Sequence, residues 1–242
     1  MDTVETVVEG VGFEHFGGLH FAWLGLLLFV VVINCIWYPK LSYNGRSVWK
    51  KTVAILLIVD ELFKTVMLLA GKRYLALYLP LHLCSINIFL ITIHAWKPNR
   101  TLGGYLYTVG IPGAMAAMLF PTWVSLPLGN FMHLHSFTVH ILLVLYPVVL
   151  GVSGELQPRV KEVPKYMLLL VAMAIPIWGI NVWLDTNFMF LMYAEPGNPL
   201  YLFYELWGNH LYGFPILIAA VLLVMYGPLV LFRRWRNRRI RI

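Results

Sequence analysis

The sequence predicts an all-α polytopic membrane protein: one bundle of seven transmembrane helices, with its N-terminus outside and its C-terminus in the cytoplasm. Hydrophobic residues make up 60% of the chain and charged residues only 12%, whereas a soluble domain carries about twice that charged fraction. The apolar residues come in runs of about twenty, the length that crosses a hydrocarbon core. Lysines and arginines gather in alternate connections between these runs, as the positive-inside rule requires.

Seven apolar runs are predicted to be the spans of a single membrane domain that comprises residues 1–242. No linker and no repeat of fixed period divides them. Their bounds are about 18–38, 50–70, 74–94, 102–120, 131–152, 166–184 and 209–232.

The basic residues support this number of spans and give their direction. They lie in the first, third and fifth connections and in the C-terminal tail, whereas the 121–130 and 185–208 loops contain none. Seven spans place every basic cluster except Lys72 and Arg73 on one side, which is predicted to be the cytoplasmic side. The formal charge of +7 therefore does not indicate nucleic-acid binding. Instead, the six arginines from Arg233 to Arg241 are predicted to contact anionic lipid headgroups.

Ionisable residues inside the predicted spans mark a candidate site, because such groups are costly in a bilayer. A rise of about 1.5 Å per residue places Glu61, Cys84 and His140 roughly 14 Å below the outer surface, with His82 slightly shallower. These residues belong to three different spans. We therefore predict a polar cavity that opens outward and ends near the middle of the membrane.

Helical spacing groups further polar residues around this level. Residues at i, i+3 or i+4, and i+7 share one face of a helix, which predicts two polar stripes: His133, Ser136 and His140 on one helix, and Tyr78, His82 and Ser85 on another. Polar residues near the outer ends of the later spans are predicted to line the same cavity: Asn181, Asp185, Asn187 and His210. Each group has a structural alternative, since Glu61 can form an ion pair with Lys64 and a buried histidine or cysteine can serve packing alone.

Two segments carry a family resemblance. Residues 79–85, which include His82 and Cys84, follow a span that contains Glu61. Residues 185–191 lie later in the chain than the span that contains His140, and Pro196 and Pro199 follow them. In order and spacing these segments resemble the YwaF-type integral membrane proteins of bacteria, a group that is similar to the animal transmembrane protein 164 family. Members of that family are regarded as phospholipid acyltransferases that use an intramembrane cysteine and a histidine.

The resemblance covers nearly the whole chain. It implies a protein of the bacterial cytoplasmic membrane whose partners are membrane lipids. It also implies catalytic roles for the segment around His82 and Cys84 and for His140.

The first functional hypothesis is a membrane-embedded lipid acyltransferase or acyl hydrolase. Cys84, or failing that Ser85, would attack an acyl ester, with His140 or His82 as the general base. Glu61 or Asn181 would orient that base. We predict no metal and no organic cofactor. A zinc hydrolase that uses histidines as ligands is a variant of this hypothesis, but the sequence has no HExxH or HxxxH motif. Its ligands would come from His82, His133, His140 and His210.

The second hypothesis is a small-solute transporter or a ligand-binding membrane protein. The same polar cavity would hold the solute, and helices kinked at proline would supply the movement. A rhodopsin is disfavoured, because the last span contains no lysine for a Schiff base.

Overall fold

The computed structural model describes residues 3–4, 6–8 and 10–239, with side chains as far as residue 228. These residues form α-helices joined by short turns, and none of them lies in a strand. The nine α-helices in this part of the chain are α1 (Gly18–Trp37), α2 (Tyr43–Ala70), α3 (Leu83–Trp96), α4 (Arg100–Tyr105), α5 (Ile111–Leu119), α6 (Phe131–Val152), α7 (Val163–Leu184), α8 (Pro199–Trp207) and α9 (Gly213–Arg239).

Polar side chains fix where several helices begin. Ser42 accepts a hydrogen bond from the amide of Gly45 at the start of α2, and Asn99 accepts one from Leu102 at the start of α4. Asn130 does the same for Met132 at the start of α6. The first amides of a helix have no partner inside the helix, so these caps stabilise each start.

Helix α6 is the centre of the bundle and packs against α1, α2, α3 and α5. Most of its length is buried, whereas α1 and α7 expose most of their apolar side chains. Trp183 on α7, for example, is 80% exposed. Such apolar outer faces suit contact with lipid, because a soluble protein rarely exposes large contiguous apolar surfaces.

In the described part of the chain, six segments are long and apolar enough to cross a membrane, and they coincide with six of the seven predicted spans. They are Gly18–Lys40, Ala76–Trp96, Arg100–Leu119, Phe131–Val152, Val160–Leu184 and His210–Pro228. The remaining prediction, 50–70, lies within α2, a helix of 28 residues that is not among these six. The middle of α2 carries Asp60, Glu61 and Lys64.

The third predicted span is not one continuous helix. Residues 76–78 form a short 3-10 turn, His82 is extended, and α3 begins only at Leu83. Pro80 is the reason, since the residue before a proline avoids the helical conformation. The predicted stripe of Tyr78, His82 and Ser85 on one helix face is therefore wrong.

A wide π-helical turn, Leu106–Gly110, joins α4 to α5. Pro112 follows it, lacks an amide hydrogen, and would press its ring against the carbonyl of Thr108 in a regular helix. The wide turn relieves this conflict. Such turns frequently occur at functional sites.

The connections that follow α1, α3 and α6 meet at one end of the bundle, which we call the basic end. Glu155, after α6, accepts hydrogen bonds from Tyr38 and Lys50 at 2.9 Å each and contacts Arg46 at 3.4 Å. Tyr38 and these two basic residues belong to the α1–α2 region, so the end of α1 and the start of α2 lie beside the end of α6.

The end of α3 lies on the same side of the bundle. His94 shares a 2.9 Å hydrogen bond with the hydroxyl of Tyr146, whose ring stacks against Trp49 of α2 at 6.1 Å. Because α1 and α3 both end near the basic end, α2 runs from there to the opposite end.

Candidate functional site

Helices α3 and α6 bring together two of the predicted catalytic residues, Cys84 and His140. Cys84 lies in the first turn of α3 and is half-buried, while His140 lies in the middle of α6 and is buried. The Nε2 atom of His140 is 3.2 Å from the Sγ atom of Cys84. This contact is within the distance of a hydrogen bond that involves sulfur.

The second nitrogen of His140 fixes the proton on the ring. Its Nδ1 atom is 2.5 Å from the backbone oxygen of Ser136, and a carbonyl can only accept a hydrogen bond. Nδ1 therefore carries the hydrogen, an assignment that follows from the hydrogen-bond partners. The lone pair of Nε2 is then directed at the thiol, as general-base catalysis requires.

A tryptophan from the loop before α6 holds the imidazole from one side. The rings of Trp123 and His140 are stacked with centroids 5.2 Å apart and an angle of 17° between their planes. Phe137 contacts the edge of the same indole at 5.3 Å. The imidazole is thus held by a ring stack as well as by its two polar contacts.

His82 contacts a different part of the molecule. Its ring lies 5.1 Å from the ring of Phe188 and 6.2 Å from that of Phe190. Within the described residues it has no hydrogen bond to Cys84 or His140. The structure therefore favours His140 over His82 as the base for Cys84.

Glu61, predicted to orient the base, has no hydrogen bond to His140 among the described residues. Lys64 donates a 2.5 Å hydrogen bond to Glu61, which is the structural alternative for this carboxylate. The second oxygen of Glu61 is 3.8 Å from Nε2 of His135, and Nδ1 of His135 is 3.2 Å from Asp60. Thr138 also donates to Asp60, at 2.9 Å.

These five residues form what we call the α2 charge cluster. It consists of Asp60, Glu61, Lys64, His135 and Thr138. His135 lies off the stripe of His133, Ser136 and His140 and was therefore not predicted to line the site. The available signal in the sequence was a third histidine in the same span. The structure shows that this histidine lies on the face of α6 that meets α2.

Asn181, predicted to orient the base, instead stabilises the loop after α7. Its amide oxygen accepts hydrogen bonds from the hydroxyl of Thr186 and the amide of Phe188, and its amide nitrogen donates to the carbonyl of Phe188. Asn187 bonds to the backbone of Tyr193. These contacts order the loop, and neither amide side chain has a described contact with Cys84.

Two further residues predicted to bind substrate lie at the start of this loop or against it. Asp185 is exposed and ends α7 in the left-handed conformation, with φ of 51°. His210 is buried, and its Nε2 lies 3.0 Å from the oxygen of Phe190. The prediction that they line a site with Cys84 has no support in these contacts.

The remaining predicted residues lie on α6, at the start of α3 or shortly before it. His133 is fully buried, accepts a hydrogen bond from Trp23 at 3.0 Å, and donates from Nδ1 to the oxygen of Leu126 at 2.9 Å. Ser136 contributes the carbonyl that orients His140. Two others are defined by position, with Tyr78 buried before α3 and Ser85 half-buried beside Cys84.

No group of three or more His, Cys, Asp or Glu side chains in the described part of the chain has the arrangement that a metal ion needs. The histidines proposed as zinc ligands also have different hydrogen-bond partners. His133, His140 and His210 each contact a different backbone carbonyl. The zinc variant is therefore not supported.

A surface cleft of about 460 Å³ lies beside the loop after α7. Its lining includes Tyr193, Tyr204 and His210, but neither Cys84 nor His140. It is a different feature from the predicted cavity at the middle of the membrane.

Comparison with known proteins gives a match to a family model. The model of the TMEM164 family matches residues 15–226, a stretch that includes the Cys84–His140 pair and the α2 charge cluster. No curated protein and no solved structure matches the chain.

Proposed function

Since the chain belongs to the TMEM164 family, we propose that it is a membrane-embedded lipid acyltransferase or acyl hydrolase, with Cys84 as nucleophile and His140 as general base. The observation that carries this proposal is the 3.2 Å contact between Nε2 of His140 and Sγ of Cys84. A nucleophile within hydrogen-bond reach of a base that is itself oriented by a third group is the pattern of covalent catalysis. Here the third group is the carbonyl of Ser136.

The proposed reaction has two halves. His140 takes the thiol proton at Nε2 while the sulfur of Cys84 forms a bond to the carbonyl carbon of a lipid acyl ester. The tetrahedral intermediate then collapses, the ester C–O bond breaks, and His140 returns the proton to the leaving alcohol. A lysolipid hydroxyl or water next attacks the thioester and gives its proton to His140, and the thiol of Cys84 is restored as the new ester or free acid leaves.

The position of Cys84 suits this chemistry. It lies in the first turn of α3, a helix of 14 residues, and the positive end of a helix dipole stabilises a negatively charged group there. Cys35, the second cysteine of the chain, lies on α1 and has no described hydrogen bond to a histidine.

The chain is an integral membrane protein, and we propose that its partners are the lipids of a bacterial cytoplasmic membrane. Acyl chains would reach Cys84 through a polar cavity open to the outer side. The C-terminal arginines would bind anionic headgroups; their side chains lie outside the described residues. We further propose that α2 also crosses the membrane, which brings the number of spans to seven. The N-terminus would then be outside and the basic end in the cytoplasm.

The proposal is tested by acyl transfer in nanodiscs. Purified protein is given a phospholipid with an isotope-labelled acyl chain and an unlabelled lysophospholipid, and labelled products are measured by mass spectrometry. We expect Cys84→Ala to abolish transfer and His140→Ala to lower it by about 10²–10⁴-fold, the usual contribution of general-base catalysis. Cys35→Ala is the matched control and should retain the wild-type rate.

A labelled thioester on Cys84, cleaved by hydroxylamine, should accumulate when the acceptor lipid is omitted. Full transfer activity in Cys84→Ala would remove this residue as the nucleophile and with it the proposal.

The α2 charge cluster favours a second candidate, a small-solute transporter or ligand-binding protein. The buried Glu61 and His135 and the partly buried Asp60 have no part in the reaction above, and such groups form proton pathways in transporters. Proteoliposomes that contain a pH-sensitive dye would report proton movement on addition of solute. Transport that persists in Cys84→Ala and is lost in the double variant Glu61→Gln with Lys64→Met, which leaves no buried charge unpaired, would favour this candidate over acyl transfer.

A further inference from the structure

Two buried polar side chains near Cys84 lack a hydrogen-bond partner. The hydroxyl of Tyr105 and both polar atoms of the Asn87 amide are unpaired among the described residues. Asn87 is 1% exposed and Tyr105 is fully buried. Buried polar groups in native proteins are nearly always paired, so an unpaired one calls for an explanation.

Both residues lie beside the proposed nucleophile. Asn87 follows Cys84 by three residues in α3, so the two side chains are neighbours on one helix face. Tyr105 is the last residue of α4, which packs against α3, and its phenol lies within the range at which a negative charge on the sulfur of Cys84 would act on it.

The wide turn after Tyr105 faces the same amide. The Nδ2 atom of Asn87 lies 3.8 Å from the point where a Cβ atom on Gly110 would stand. Gly110 ends the π-helical turn that begins directly after Tyr105. Asn87 and Tyr105 are thus held on two packed helices that both border Cys84.

We propose that the Nδ2 group of Asn87 and the hydroxyl of Tyr105 donate hydrogen bonds to the carbonyl oxygen of the acyl ester when Cys84 attacks it. This inference rests on the proposed function. As the S–C bond forms, the carbonyl π electrons move to the oxygen, and both donors stabilise that negative charge. When the C–O bond to the leaving alcohol breaks, the carbonyl re-forms and the charge disappears.

The chemistry of the two donors identifies the substrate class. Both are neutral, and the nearby cation Lys64 is already paired with Glu61. Neutral donors in a water-poor site stabilise charge that develops in the transition state, and they do not neutralise a permanent anion. They suit the uncharged carbonyl of an ester better than a phosphate or a free carboxylate.

The test compares two reactions of the same thiol. Attack on an ester creates an oxyanion, whereas alkylation by iodoacetamide displaces iodide and creates none. Acylation of Cys84 by p-nitrophenyl butyrate is followed through p-nitrophenol release and the mass of the thioester, and alkylation through the mass of the carbamidomethyl adduct. The variants are Asn87→Leu and Tyr105→Phe, with Tyr107→Phe as matched control because its hydroxyl bonds to the oxygen of Met225.

We expect each variant to acylate Cys84 about 10²-fold more slowly, as loss of one such donor does in other enzymes, and to alkylate it at the wild-type rate. Tyr107→Phe should match wild type in both reactions. Tyr105→Phe should also keep its thermal stability, because the hydroxyl that it removes has no partner in the resting protein.

Unchanged acylation in both variants would overturn the inference. Equal losses in acylation and alkylation would also overturn it, since they would show that the residues only hold Cys84 and His140 in place. If wild-type protein forms no thioester at Cys84, the proposed function itself fails and this inference fails with it.

Discussion

Glu61 and Lys64 form a buried ion pair one helical turn apart on α2. Their side chains are 9% and 8% exposed, and their charged atoms are 2.5 Å apart. Removing one partner of a buried pair leaves an uncompensated charge, whereas replacing both is often close to neutral. The contacts of Glu61 therefore assign it a structural role that is separate from the chemistry of Cys84.

This role gives a prediction for stability. Glu61→Gln and Lys64→Met should each lower the free energy of unfolding, by about 3–5 kcal/mol if the remaining charge stays buried. The double variant should recover most of that loss, because no charge is left unpaired. Thermal unfolding in detergent, followed by tryptophan fluorescence, measures the three variants against wild type. A double variant whose loss equals the sum of the two single losses would contradict the pairing.

At this scale the sequence predicted a common depth for several residues but not which of their side chains meet. Depth along separate helices placed Cys84 and His140 at one level, and the structure brings them into contact. Depth says nothing about rotation, so it also grouped Glu61 with them, although Glu61 turns toward His135. The rotation of a helix about its axis depends on how it packs against its neighbours, and the sequence of one helix does not determine this packing.

Among the secondary-structure elements, the connection after α6 binds the α1–α2 region at the basic end through Glu155. Partial burial raises the pKa of Glu155, but hydrogen bonds from Lys50 and Tyr38 and the charges of Lys50 and Arg46 outweigh it. The pKa of this carboxyl is therefore below its ordinary value of 4.5. A lowered pKa means that the contact stabilises the fold above the ordinary value and that this contribution is lost as pH falls through the lowered pKa.

The contacts of Glu155 predict a specific dependence of the melting temperature on pH. The melting temperature of wild type should exceed that of Glu155→Gln at pH 7, and the difference should shrink as the pH falls below about 4.5. The partly exposed Glu162 pairs with Arg100, so Glu162→Gln is a suitable control for the general effect of removing an acid. A difference between wild type and Glu155→Gln that stays constant from pH 7 to pH 3 would contradict the assignment.

Elements were predictable where local chemistry decides them. Asn130 caps α6 at the predicted boundary, and Pro112 explains the π-helical turn once the structure shows it. The start of α3 was misplaced because an apolar run can cross a membrane without being helical throughout. Pro80 was the available signal, and it outweighed hydrophobicity. The consequence for function is that His82 leaves the helix face that it was predicted to share with Ser85.

For the whole molecule, the topology depends on whether α2 crosses the membrane. The basic end gathers Arg46, Lys50 and Glu155, while the two exceptions to the charge pattern, Lys72 and Arg73, follow α2 at the other end. Arg73 there donates to the hydroxyl of Thr6, so the N-terminal segment contacts this end. The sequence predicted seven spans from its apolar runs and its basic residues. Six segments of the described chain are long and apolar enough to be spans, and α2, which carries the Glu61–Lys64 ion pair, is not among them.

The two ends of α2 provide a direct test of this topology. Tyr43 is 88% exposed at the start of the helix and Lys72 is exposed just after its end. In a background that carries Cys35→Ala and Cys84→Ala, Tyr43→Cys and Lys72→Cys are each treated with a membrane-impermeant maleimide in intact bacterial cells. If α2 crosses the membrane with the basic end inside, Lys72→Cys is labelled directly and Tyr43→Cys only after permeabilisation. Labelling of both from one side would mean that α2 does not cross, and the reverse pattern would place the N-terminus in the cytoplasm.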